Sequence, residues 1–435
     1  MKKLQSYPGT RDFYPNEMEF RNWMFEKQKE ICLRYGYKEY SSPLLEFTDL
    51  YRTKSSEEIV NEQLYTFIDR GNREVSIRPE MTPTLARMIA KKDSTYIVPI
   101  RWFSISNFMR YERPGKGRLR EFYQLNVDLI GIDNVYADCE ILSIAMDILK
   151  AYGAKEEDFV IRYSHKELLN LWMNLSDKEK IRQIGRILDK KDKITESEFT
   201  RDLEKICSPK EIDKIYKFLN LKINNNHSEM PQENKKEIEE ILFRLKETVE
   251  LLGSVHKTDF VYFEPSIVRG FDYYTGIIFE IYDINKENKR ALFGGGRYNN
   301  LIGQFSKENL PAIGFGLGDV TLEEFLKNHN LILNEKKTKG FYFTFLDEKY
   351  FNEYLKISNF LRQKNISVEV SLERQKKFGK ELEIAEKKGY RYVLILGEDE
   401  WKENKIKIKD LLKGEQFYIS LENLDQTALE LKRLI

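Results

Sequence analysis

The chain has 435 residues, 41% of them hydrophobic and 33% charged, with a formal net charge of +1. That length allows two or three domains with ample core, at roughly 100–200 residues each. The near-neutral balance excludes a global attraction to polyanions, so any such site has to be a local patch.

The opening MKKLQSYPGTRDFYP lacks the apolar run of a signal peptide. Nothing further on reaches the ~18 apolar residues of a membrane span, so no membrane association is expected. A helix pattern runs from Glu17 to Tyr35 and closes at Gly36. Cys32, Cys139 and Cys207 have no metal-ligand spacing and read as reduced thiols of a cytoplasmic protein. Four scattered histidines argue against a metal cluster or a histidine-based triad. YKEYSSPLLEFTDLY reads as a strand interrupted by Pro43, which suits a sheet edge or an interface. Leu64–Ile68 and Glu74–Arg78 form a hairpin around Asp69–Asn72. IRPEMTPTLARMIAKK then passes from strand to helix, with Thr82 as N-cap and Pro83 at the first helical position. Glu80, just before it, either favours the helix dipole or reaches a ligand amine.

Arg101–Gly131 reads as a long antiparallel hairpin with ERPGKG at its tip. In its second strand Arg120, Phe122, Gln124, Asn126 and Asp128 share one face, and Tyr123, Leu125, Val127 and Leu129 the other. Arg110, Arg113, Lys116, Arg118 and Arg120 crowd the tip. That suits a polyphosphate, held bidentately by arginine forks, or simply a solvated basic turn. A helix at Tyr136–Tyr152 and a strand at Asp158–Tyr163 follow. From His165 to about Gly253 glycine nearly vanishes and helical spacing dominates, broken by the polar turn Lys222–Asn226. This is a helical insertion. The β pattern resumes near Phe260. In IVRGFDYYTGIIFEIYD, Arg269, Asp272 and a tyrosine hydroxyl either converge on a polar ligand or form an aromatic core strand with Arg269 paired to Asp272. GGGR (294–297) with Tyr298 reads as a tight turn between core strands or as a wall that approaches a ligand closely. No dinucleotide fingerprint or P-loop occurs. After the polar linker at 334–339, strands at Phe341–Leu346, Ile366–Val370 and Tyr392–Leu396 alternate with helices at Tyr350–Lys364 and Phe378–Lys388. That order indicates a small α/β domain with parallel pairing.

RYERPGKGR followed by EFYQLNVDLIG resembles motif 2 of the class II aminoacyl-tRNA synthetases. IRPEMTP, VRGFDYYTG and GGGRY, in that order, resemble the histidine-specific motifs of the histidyl-tRNA synthetase family. PGTRDFYP and YSSPLLE look like that family's N-terminus and motif 1, and the tail from Phe378 like its anticodon-binding domain. The resemblance covers essentially the whole chain outside the insertion. It implies an α+β fold: a class II synthetase-like antiparallel sheet flanked by helices (1–164 and 255–333), a helical insertion (165–254) and a C-terminal α/β anticodon-binding-like domain (340–435). It also implies a cytoplasmic homodimer, paired through the Pro43 region. The implied activity is ATP-dependent conversion of L-histidine to histidyl-adenylate, then transfer to the 3′ end of tRNA(His).

Site roles follow from the same resemblance. Glu80 would accept the α-ammonium with Thr82 beside it, and Gln124, Tyr273, Tyr274 and Tyr298 would enclose the imidazole. Arg110 would hold the α-phosphate, Arg118 the outer phosphates, Phe122 the adenine face and Glu112 its edge. Arg269 would act with Arg110 where charge grows between carboxylate and α-phosphate. Mg²⁺ would bridge the pyrophosphate oxygens without a protein metal cluster. Lys376, Lys377 and Lys380 are candidates for RNA phosphates. One departure stands out: the family's motif 3 arginine, which binds the γ-phosphate, is Thr321 here, leaving the outer phosphates to Arg118 and Arg113. The alternative reading is a catalytically silent subunit that senses histidine. Such paralogues lack the anticodon-binding domain.

Overall fold

The computed structural model describes residues 4–52, 59–91, 96–115, 117–191, 194–224, 230–268, 273–285, 290–306, 308–332, 338–375 and 377–435. They form two compact units, Met1–Ile332 and Leu333–Ile435.

In the first unit α1 (Pro15–Arg34) starts on a proline whose fixed φ suits a first turn. Gly36 ends it at φ +79, the left-handed conformation that glycine adopts without a Cβ penalty. β1 (Lys38–Glu39) joins the central sheet, while β2 (Leu45–Phe47) belongs to a separate one, with Pro43 between them. After α2 (Asp49–Arg52), β3 (Tyr65–Ile68) and β4 (Glu74–Ile77) pair antiparallel, and Asn72 makes their turn at φ +57. α3 (Thr82–Ala90) takes Met81 as its N-cap, so Thr82 is the first helical residue rather than the expected cap. Proline tolerates either first-turn position, because neither needs its N–H.

β5 (Ile100–Met109) and β6 (Glu121–Ile130) form the expected hairpin, with Ile100 opposite Ile130 and Met109 opposite Glu121. α4 (Val135–Ala151) is capped by the Asn134 side chain, and β7 (Phe159–His165) follows. The insertion is helical: α5 (Leu168–Met173), α6 (Lys178–Leu188), α7 (Glu196–Glu204), α8 (Pro209–Leu219) and α9 (Lys235–Leu252). Its Trp172, Phe199, Phe218 and Leu245 share one continuous apolar core with Leu125, Val127 and Leu129 of β6. β8 (Val261–Phe263), β9 (Ile277–Asp283), β10 (Ala291–Arg297), β11 (Ala312–Gly318) and α10 (Asp319–Asn328) complete the unit. The central sheet runs β1-β5-β6-β11-β10-β9-β7-β8, parallel only at its two edge pairs.

The second unit contains β12 (Thr338–Phe343), α11 (Phe351–Gln363), β13 (Val368–Val370), α12 (Phe378–Lys387), β14 (Tyr390–Ile395), α13 (Glu398–Lys402), β15 (Lys405–Asp410), β16 (Gln416–Ser420) and α14 (Leu424–Lys432). Pairing is parallel in β13-β12-β14, as expected. β15 and β16 add an antiparallel hairpin that the strand–helix alternation did not announce. Phe341, Phe343, Tyr354, Leu394 and Leu431 lie in a core of this unit's own.

Candidate active site

The glycine triplet of β10 is not a turn. It crosses the middle of the sheet between β9 and β11. A Cβ on Gly295 would sit 2.2 Å from the Gly314 carbonyl oxygen, and one on Gly296 2.7 Å from that of Ile277. These strands approach too closely for side chains, which opens a floor beside the polar face of β6. Gln124 lies over Gly316, where a Cβ would come within 2.8 Å of its amide, and Asp128 lies over Gly314.

Above that floor is a buried polar cage. Glu80 and Thr82 are 3% and 8% exposed. The Tyr273 hydroxyl donates to Glu80 Oε2 at 3.0 Å. Tyr273 packs edge-on against Tyr274 and Tyr298, at 5.2 and 5.8 Å between ring centroids. The Tyr298 hydroxyl donates to Asp128 Oδ1 at 2.5 Å. Burial, with Glu80 close by, pushes the Tyr273 hydroxyl far up, so it stays a donor. Oδ2 of Asp128 and Oδ1 of Asn126 are buried without a hydrogen-bond partner. Burial pushes the Asp128 carboxyl up to about 7, with only Tyr298 opposing it. A buried acid with one idle oxygen is a candidate for accepting one more hydrogen bond. Asp128 is the functional candidate that sequence reasoning left without a role, although the alternation of β6 had already placed it on the polar face.

Beside the cage opens a cleft of about 820 Å³ lined by Arg110, Glu112, Arg118, Phe122, Gln124 and Thr321, among others. The Arg110 guanidinium lies over the Phe122 ring at 5.2 Å, and its Nε donates to the Pro79 carbonyl at 2.9 Å. Arg118 pairs with Glu112 at 3.2 Å. The hairpin tip rests on α10, where Gly117 N–H donates to Glu324 Oε1 at 3.0 Å. The Thr321 hydroxyl donates to the Leu292 carbonyl at 2.7 Å. Arg113 is exposed and Arg120 lies over Tyr111 at 4.3 Å, so neither is among the residues lining the cleft. Arg269, Asp272, Lys116 and Lys376 lie outside the described residues; Lys377 and Lys380 are exposed at the start of α12. Arg297 of the GGGR run is an anchor: its Nε donates to Asp138 Oδ1 at 2.9 Å and its Nη1 to the Ile132 carbonyl at 2.9 Å, tying β10 to α4. Among the described residues no group of three or more metal-binding side chains occurs.

A mostly antiparallel sheet whose arginine-bearing hairpin and glycine floor meet at one cleft defines a class II aminoacyl-tRNA synthetase. Residues 9–321 match the family described as histidyl-tRNA synthetase, and residues 331–431 an anticodon-binding domain. The histidine–tRNA ligase of Leptospira biflexa is 48% identical over 433 residues, covering 98% of this chain and 97% of its own. That of Pyrococcus furiosus is 33% identical, covering 97% and 98%. The crystal structure of histidyl-tRNA synthetase from Nostoc superposes with a TM-score of 0.82 at 22% identity, covering 99% of each chain. The chain belongs to the histidyl-tRNA synthetase family. It is a ligase that uses ATP to join histidine to tRNA. Among the described residues no helix is long and apolar enough to cross a membrane.

Proposed function

We propose that the cage holds L-histidine and the cleft holds ATP, so that the amino-acid carboxylate meets the α-phosphate beside Arg110. The idle Oδ2 of buried Asp128 is the observation that carries this reading, because it calls for an N–H donor such as the imidazole's. Glu80 accepts the α-ammonium together with Thr82, Gln124 closes the side toward the cleft, and Tyr273, Tyr274 and Tyr298 enclose the ring. Adenine stacks on Phe122 with Glu112 at its edge, and Arg118 swings from Glu112 to the outer phosphates. A carboxylate oxygen of histidine attacks the α-phosphorus and pyrophosphate leaves. The terminal ribose hydroxyl of tRNA(His) then attacks the carbonyl carbon of the adenylate, and AMP leaves. Arg110 stabilises the charge that grows on the α-phosphate, and Arg269 does so by the sequence motif that it shares with the family. Glu280 lines the cleft with the carboxylate oxygens that Mg²⁺ prefers and would be the residue to hold it. Mg²⁺, when bound, neutralises pyrophosphate oxygens there.

The small sheet β2-β4-β3 supports a homodimer. Leu45, Phe47, Tyr65, Phe67, Val75 and Ile77 share one face by register, and Leu45, Phe47 and Phe67 are 45–59% exposed. An all-apolar sheet face of that kind calls for a partner. The three free thiols fit a cytoplasmic setting. The silent histidine-sensing subunit is set aside because residues 331–431 match an anticodon-binding domain. Histidine-dependent exchange of pyrophosphate into ATP tests the reading. Exchange should fail with leucine or phenylalanine by a factor of ~10⁴ or more, since the wrong side chain strands buried polar groups. Comparable rates with either amino acid would overturn it.

A further inference from the structure

The cleft has to hold a triphosphate, yet the wall formed by α10 offers Thr321 where a guanidinium is expected, and that hydroxyl already donates to Leu292. The residue just before the neighbouring strand supplies a cation. In the antiparallel ladder of β10 and β11, Phe293 faces Leu317 and Gly294 faces Gly316. Arg290 comes two residues before Leu292, whose carbonyl accepts from the Thr321 hydroxyl at 2.7 Å, so the chain carries it to the same end of the sheet as Thr321. Arg290 lines the cleft together with Val320, Thr321, Gly117 and Arg118. From the other side the hairpin tip reaches the same spot, since a Cβ on Gly117 would lie 3.7 Å from Thr321 Cγ2. Arg118 and Arg290 thus line the same cleft as the first turn of α10. Of the other two arginines that line the cleft, Arg110 lies over Phe122, and Arg162 lies on β7, over the Tyr282 ring at 4.9 Å and opposite Glu280 in the ladder.

We propose that Arg290 binds the outer phosphates of ATP, and pyrophosphate in the reverse direction, across the cleft from Arg118. This inference rests on the reading of the cleft as the ATP site. A guanidinium fork can take two phosphate oxygens at once, whereas lysine supplies only a point charge. Arg290 touches only the β,γ end in this arrangement, so it separates phosphate affinity from nucleoside affinity.

The test measures binding of ATP and of adenosine to the full chain by calorimetry, alongside pyrophosphate exchange, for Arg290→Ala, Arg290→Lys and the double variant Arg290→Ala/Thr321→Arg. Arg290→Ala should weaken ATP binding and raise the KM for pyrophosphate roughly 10- to 100-fold, the loss of a charged hydrogen bond. Adenosine binding and the KM for histidine should stay within about twofold of the parent, and Arg290→Lys should fall between. Returning a guanidinium from position 321 should recover much of the ATP affinity. Unchanged ATP binding in Arg290→Ala, or equal losses for ATP and adenosine, would overturn the assignment. A parent that binds ATP but exchanges no pyrophosphate would sink the catalytic reading instead, and the ATP-to-adenosine ratio would still decide the role of Arg290.

Discussion

Asp128, proposed above to face the imidazole, makes both stability and histidine binding depend on pH. Its carboxyl moves from 3.8 when free in solution to about 7 in the folded protein, through burial. The folded state therefore holds an extra proton between those values. Through this group stability falls as pH rises from about 4 to about 7, and is level above that. Asp128→Asn keeps an acceptor for Tyr298 and never ionises, so the ligand-free variant should melt above the parent at pH 8. Its histidine KM should nevertheless rise by the equivalent of ~1.5–3 kcal/mol, because a charged acceptor is lost. In the parent, histidine KM should climb as pH falls through about 7, since a protonated Asp128 no longer offers the idle oxygen. The variant should keep only the titration of free histidine near ~6.5. Melting curves at pH 8 and exchange kinetics across pH 6–8.5 check both halves, and superimposable profiles would remove Asp128 from the imidazole. Arg269→Ala, by contrast, should cost about 10²–10³ in exchange rate with little change in melting, as expected for a cation aimed at developing charge. A variant that unfolds instead would return Arg269 to the core pairing with Asp272.

At the scale of elements, alternation and turn chemistry located the hairpin β5–β6 and its two faces within a residue or so. The start of α3 also came within one residue, because proline marks a first turn but not which of its positions it fills. What a linear reading could not supply was the third dimension of the glycine run. Turn and close approach both demand glycine, and only the pairing of β10 with β9 and β11 decides between them. Asp128 was visible as a polar residue on a strand, but its burial and idle oxygen depend on Tyr298, 170 positions away. The hairpin β15–β16 was readable in principle, since Lys405–Asp410 alternates lysine with isoleucine as a half-buried strand does, but the strand–helix alternation before it set a different expectation. Two alanine substitutions separate the kinds of glycine. Gly295→Ala places a methyl against the Gly314 backbone, which cannot rotate away. It should destabilise the first unit by ~1–3 kcal/mol or more, as overpacking does. Gly115→Ala meets nothing within 4 Å and should melt with the parent. Equal melting temperatures for the two would mean that β10 and β11 can separate at little cost.

The molecule as a whole pairs an active site in one unit with a second unit that has its own core. The homodimer proposed above rests on the exposed Leu45, Phe47 and Phe67 of the first unit. Phe47→Asp with Phe67→Asp should leave a monomer in sedimentation, with the melting temperature of the remaining fold little changed because both positions are exposed. A dimer that survives both charges would place the contact elsewhere. The second unit makes a separate prediction. Its apolar clusters contain residues from Phe341 onward, and those of the first unit none beyond Ile332. A chain ending at Ile332 therefore loses no core residue of the first unit and should fold. The cage and the cleft lie wholly within it, so histidine-dependent pyrophosphate exchange should persist within a few-fold of the parent. Charging of tRNA needs the RNA to dock, and residues 331–431 match an anticodon-binding domain. RNA contacts are largely electrostatic and additive along the backbone, so removing a docking domain should cost orders of magnitude in affinity. The truncated chain should then show a greatly raised KM for tRNA while its KM for histidine and ATP stays near the parent's. Normal charging by the truncated chain would deny the second unit its RNA-binding role. Loss of exchange in a truncated protein that still melts cooperatively would show that the second unit also supports the chemistry of the first.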